Sequence, residues 1–186
     1  MFVEERAISY LEKPETYPSL EPWAEVELVF RVWVYEIDWY GSWLLRQTKN
    51  AFWVRRLQWD RSQDSLTSLG EPGIYGSQAI VPDDLANNMV GQIQRFSVLP
   101  FMKPQRFGID GTIFGVETKS LFLNGRLSWW SEPPESWQPL AAWLKETVNH
   151  FDSLLPESTA RMSHSERMER WKRFVASQSA KNTGRK

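Results

Sequence analysis

Cysteine is absent from the sequence, so the chain has no disulfide, no thiol nucleophile and no cysteine-ligated zinc. No apolar run approaches the roughly 18 residues that a membrane-spanning helix needs. The first residues, MFVEERAISYLEKPETYP, are charged and lack the apolar stretch of a signal peptide. These absences make the cytoplasm the expected location. Histidine is scarce, with His150 and His164 the two present, and neither has a second histidine or a carboxylate at metal-ligand spacing. No phosphate loop, Gly-x-Gly-x-x-Gly fingerprint or Gly-x-Ser-x-Gly elbow occurs. No cofactor and no metal are expected. Internal repeats are also missing, and 186 residues suit one domain. A chain of this length buries roughly 70% of its unfolded surface without help from metal or disulfide.

What is present is an excess of tryptophan, 11 residues in all. Tryptophan fills cores, but it is also enriched where proteins bind one another. Trp33, Trp39, Trp43, Trp53 and Trp59 fall in one half of the chain and are the candidate anchors for a protein partner, should their rings prove exposed. Charge is divided unevenly. Eight Lys or Arg and two Glu lie between Arg161 and Lys186, a local charge of +6, which leaves −7 on the rest of a chain whose net charge is −1. An acidic body with a basic tail bears on partners rather than on fold.

The stretch from Phe107 to Leu155 carries the strongest structural signals. Trp137, Leu140, Ala141, Leu144, Val148, Phe151 and Leu155 recur at helical spacing. Ser136 stands at the cap position, Pro139 in the first turn and Pro156 just past the end, so the expected helix runs over 136–155. Upstream, 112–118 and 127–130 read as strands, with Asn124-Gly125 as a hairpin turn between them. Earlier still, Glu25 to Glu36 alternates, with Val26, Leu28, Phe30, Val32 and Val34 on one face and Arg31, Trp33 and Tyr35 on the other. Strands at 43–46 and 52–59 follow a turn at 38–42. The segment from Asp60 to Ser77, rich in Gly, Ser and Asp, reads as a long loop. Pro82-Asp83-Asp84 opens a helix over 82–98 with Leu85, Met89, Ile93 and Phe96 inward. Residues 1–24, interrupted by Pro14, Pro18 and Pro22, read as a loose lead-in with a short strand near Ala7 to Leu11. Ser163-x-x-Glu166 is a capping box for a last helix, and the residues from Ser177 read as disordered.

The expected fold is therefore α+β: an antiparallel twisted sheet of four to six strands, two main helices on one face and an appended C-terminal helix. Residues 1–160 form the single domain, and 161–186 form the basic helix and tail.

The run Ile109-Asp110-Gly111-Thr112, followed by a strand and then by Ser128-Trp129-Trp130-Ser131-Glu132-Pro133-Pro134-Glu135-Ser136-Trp137-Gln138-Pro139-Leu140, resembles a loose group of small, uncharacterised bacterial α/β proteins. Some of that group resemble immunity proteins of toxin systems. The likeness covers roughly residues 85 to 155 and carries no catalytic motif. It implies a non-enzymatic, protein-binding role, most concretely inhibition of a basic toxin. Two other readings stand beside it. The Arg31, Trp33, Arg46, Trp53, Arg55, Arg56, Trp59 and Arg61 pattern, with the basic tail, suits nucleic acid, although the acidic body opposes it. Carboxylate chemistry around Asp110 and Glu117 would suit an enzyme.

Overall fold

A computed structural model describes residues 1–21, 27–64, 69–99, 111–119 and 124–158. Its centre is an antiparallel sheet of six strands: β1 (Glu27–Tyr35), β2 (Trp39–Gln47), β3 (Phe52–Asp60), β4 (Ile74–Val81), β5 (Ile113–Lys119) and β6 (Asn124–Trp130). The order is β4-β3-β2-β1-β5-β6, so the first four strands form a meander and the β5–β6 hairpin returns to pair with β1. The α+β class and the antiparallel sheet are as the residue pattern implies. Among the described residues, no helix is long and apolar enough to cross a membrane.

Alternation within the strands creates two faces, and helices cover both. On one face, Phe30, Val32, Trp43, Leu45, Val54, Val81, Val116 and Trp129 pack under α2 (Asp83–Ile93) and α3 (Gln138–Leu154). Leu140, Leu144, Val148 and Phe151 of α3 are all buried there, which is the stripe that the helical spacing marks out. Burying one such side chain contributes about 1.5–3 kcal/mol. The helix enters through a 3₁₀ turn at Glu135–Trp137, and no side chain caps it. The role given to Ser136 thus falls to the tight turn itself, and Pro139 keeps its place in the first turn.

The other face is covered by α1 (Val3–Glu12), where a short strand was expected. Val3, Ala7 and Leu11 are spaced by four and bury against Leu57, Trp59 and Ile74. The Phe2 amide donates to Glu5 Oε2, and Glu4 and Glu5 sit favourably in the first turn. The prolines that suggested a loose lead-in begin only after this helix, with Pro14 opening a 3₁₀ turn.

Further boundaries differ from expectation, and the helix expected over 82–98 ends at Ile93, before Phe96. The segment 60–77 is not all loop: a 3₁₀ turn spans Arg61–Gln63, and β4 begins at Ile74. Gly41 is not in a turn but in β2, opposite Val34. Asn124 and Gly125 pair with Lys119 and Thr118 inside the β5–β6 ladder, so they do not form the turn. The helix expected from Ser163 and the tail lie outside the described residues.

Candidate functional site

The register aligns a polar row across the face beneath α1. Gln78, Arg55, Leu44, Arg31, Glu117 and Arg126 are successive cross-strand partners from β4 to β6. Arg31 is 2% exposed and holds Glu117 through Nε at 3.2 Å and Nη2 at 2.8 Å. Its Nη1 donates to Leu11 O at 2.9 Å, satisfying a carbonyl that the end of α1 leaves open. Arg55 is fully buried and donates to Pro14 O, Glu21 O and Gln78 Oε1. Burial lowers the Arg55 pKa to about 10, and Arg46 beside it adds to the shift. Arg46 is lowered for the same leading reason. The Arg31 and Arg55 guanidiniums fasten the N-terminal segment to the sheet. A phosphate would have to displace that segment to reach Arg31 or Arg55.

The five candidate tryptophans occupy the same sheet. Trp33, Trp39, Trp43 and Trp59 are 2%, 6%, 0% and 0% exposed, and Trp53 is half-buried. Trp33 lies over Gly115, with the Arg31 and Arg126 guanidiniums 4.5 and 4.9 Å from its ring centre. Trp43 Nε1 donates to Asp152 Oδ1 at 2.9 Å, and Trp59 Nε1 donates to Asp64 Oδ2 at 2.6 Å. Trp39 packs against Trp43 at 6.1 Å. Rings held this way meet a partner only if the fold opens. The expectation of exposed anchors therefore does not extend to these four. Trp33 and Trp43 lie on opposite faces of the sheet, and what the reading of the residues missed is that both faces are covered. The helical spacing of Val3, Ala7 and Leu11 carried that signal.

Of the carboxylate pair, Glu117 is committed to Arg31, and Asp110 lies outside the described residues. His150 is exposed, 3.5 Å from Glu146 on the same helix, and His164 lies outside the described residues. Among the described residues no group of three or more His, Asp or Glu is arranged to hold a metal.

Where α3 begins, a cleft of about 170 Å³ opens between the helix and the β5–β6 hairpin. Phe114 and Trp129 stack at 5.9 Å to floor it, while Ser131, Gln138 and Lys145 line it with Pro133. Ser131 has φ of 54°, an unusual backbone for serine. Among the described residues that line it, apolar rings and alanines stand beside the polar ends of Ser131, Gln138 and Lys145.

Charge is partitioned by the fold. Among the described residues the buried charged side chains are Arg31, Arg46, Arg55, Arg56 and Asp60. Arg31 and Arg56 take Glu117 and Asp152, 13% and 12% exposed, inside with them, so the described exterior owes its acidity mainly to the carboxylates that stay outside. Glu21, Asp38, Asp83, Asp84, Glu135 and Glu146 are among the exposed carboxylates.

No family model, curated protein or solved structure matches the chain.

Proposed function

We propose that this chain is a non-enzymatic protein-binding module, in its most concrete form an immunity-type inhibitor of a basic toxin. The observation that supports it is the set of exposed carboxylates, Glu21, Asp38, Asp83, Asp84, Glu135 and Glu146 among them, around a doubly covered sheet in which Arg31, Arg46, Arg55 and Arg56 are buried. An acidic surface attracts a basic partner at long range and raises the association rate. The same burial weakens the nucleic-acid alternative. Binding energy would come from apolar side chains that remain outside, such as Ile37 at 49% and Ile113 at 42% exposure, and not from the buried tryptophans.

Co-expression with the product of the gene beside its own tests this reading. The expected result is growth arrest by that product, relief by this chain, and an association rate that falls as salt rises. Arrest that the chain does not relieve overturns the immunity role. An association rate indifferent to salt overturns the acidic steering.

A further inference from the structure

β4 is an edge strand with unusual properties. Its sequence, IYGSQAIV, carries no charge, and Pro72 and Pro82 stand just outside it. Natural edge strands usually carry a lysine, an internal proline or a bulge that discourages further pairing. β4 pairs with β3 without a register shift from Ile74 to Val81, so no bulge in it discourages a further strand.

The hydrogen-bonding pattern shows which groups face outward. Ile74 N–H donates to Pro72 O at 2.8 Å, and Ile74 O accepts from Tyr17 Oη at 2.8 Å. Ile74 therefore does not use its main chain on Trp59, its partner in β3. Antiparallel ladders alternate, so the N–H and C=O groups of Gly76, Gln78 and Ile80 also point away from β3. Among the described residues, no side chain or main-chain group outside the sheet is bonded to those three main chains. The open ladder is bounded at both ends. Ile74 has its outward groups satisfied within the chain, and Pro82 has no N–H to offer.

These bounds are symmetric about Gln78. We infer that β4 pairs antiparallel with β4 of a second copy of this chain, across a twofold axis at Gln78, to join two sheets into one. In that register Gly76 faces Ile80 of the second copy, Gln78 faces Gln78, and Ile74 faces Pro82, where pairing stops on both sides. About six main-chain hydrogen bonds result. The side chains fit the same register. Ile80, 57% exposed, comes to lie opposite Gly76, where Tyr17 and Leu20 pack over the glycine and offer an apolar seat. Tyr75, 47% exposed, faces Val81, and Ser77 faces Ala79. Each large exposed residue thus meets a small or apolar one. An arbitrary strand would meet the free main-chain groups, but the chain's own β4 also matches their length, their ends and their side-chain sizes. The junction is small by the standards of specific interfaces, so the dimer is a weak one that fills as concentration rises.

Amide exchange measured by NMR at low and high protein concentration, with sedimentation in parallel, tests the pairing. The amides of Gly76, Gln78 and Ile80 should slow by tenfold or more as dimer forms. Those of Tyr75, Ser77 and Ala79, already bonded to β3, should not change. Ile80→Pro removes an outward N–H that the monomer does not use, and should weaken association roughly tenfold or more while circular dichroism stays that of the native fold. If that variant does not fold, Ile80→Lys makes the same test at an exposed position by placing an ammonium over the apolar seat. A chain that stays monomeric at every concentration overturns the inference. So does exchange at the three amides that ignores concentration, which would mean that they are covered within one chain or left open. A dimer that survives both variants assigns the contact to another surface and also overturns it.

Discussion

Asp152 is the point at which α3 is tied to the sheet, and its removal should be costly. Its Oδ1 accepts from Arg56 Nη1 and from Trp43 Nε1, each at 2.9 Å. Arg56 lies on β3 and Trp43 on β2, and their side chains are 3% and 0% exposed. The Asp152 side chain is itself only 12% exposed. Replacing Asp152 by Ala leaves a buried guanidinium without its carboxylate, a change that costs about 3–5 kcal/mol in comparable pairs. The orphaned indole N–H adds about 1–3 kcal/mol if counted alone. The two share one oxygen and are not additive. Arg56 keeps its bond from Nη2 to Pro156 O, which holds the loss toward the lower figures. A net cost of about 3–4 kcal/mol follows, a large fraction of the 5–15 kcal/mol that holds a typical domain together. Urea unfolding is the assay, and the midpoint should fall with little change of slope. Asp152→Asn, which keeps an acceptor for Trp43, should lose less. The double change Arg56→Met with Asp152→Leu should recover only part of the loss: the unpaired guanidinium is gone, but the Trp43 N–H still lacks its acceptor, which leaves about 1–3 kcal/mol. A loss below about 1 kcal/mol for Asp152→Ala would refute the argument, since Arg56 would then be compensated elsewhere.

Gly115→Ala should destabilise by about 1–3 kcal/mol or more, because the new Cβ would lie 2.0 Å from Trp33 Cζ2 while Arg31 and Arg126 confine that ring; Trp33→Leu in the same chain should recover part of the loss, and strict additivity in denaturation would show that the ring is not the obstacle. Tyr35 has its pKa raised, chiefly by burial and partly opposed by Arg31, so its contribution to stability is complete below its unfolded pKa of about 10 and is lost as pH rises through the higher folded value. Arg55, depressed to about 10, contributes a slope of the opposite sign, and comparison with Tyr35→Phe isolates the tyrosine: the parent should lose stability more steeply above that pH, and identical slopes would contradict the assignment.

The legible parts of the fold were those where one period dominated a long segment. The spacing of Leu140, Leu144, Val148 and Phe151 fixed α3 and its buried side, and the alternation of Phe30, Val32 and Val34 fixed β1. The illegible parts were short or compositionally misleading. β4 is only eight residues, and its Gly76 and Ser77 extend the glycine- and serine-rich run before it. Gly76 is in fact needed by Tyr17 and Leu20, whose atoms would lie 2.8 and 3.0 Å from a Cβ there. Asn124-Gly125 has the composition of a two-residue turn, but the ladder continues through it to Lys119. The cleft beside α3 had no signal at all, because Phe114, Trp129 and Lys145 come from three elements whose mutual placement is a tertiary fact.

Packing gives the Arg/Trp pattern a structural explanation. Basic residues alternating with aromatics suggest a surface that meets phosphates and bases, and in an uncovered sheet Arg31, Trp33, Arg46 and Arg55 would form one. Here the sheet is covered on both faces, and α1 brings the carbonyls of Leu11 and, after it, Pro14 and Glu21 onto the guanidiniums. Arginine suits that task because its planar fork meets several acceptors at once and is less strongly hydrated than an ammonium. Tryptophan suits the space between, since Gly41 and Gly115 give its rings a flat seat and its N–H finds Asp152 or Asp64. The same residues that could have made a nucleic-acid surface thus close a core, and by leaving the exterior they give the carboxylates the outer surface.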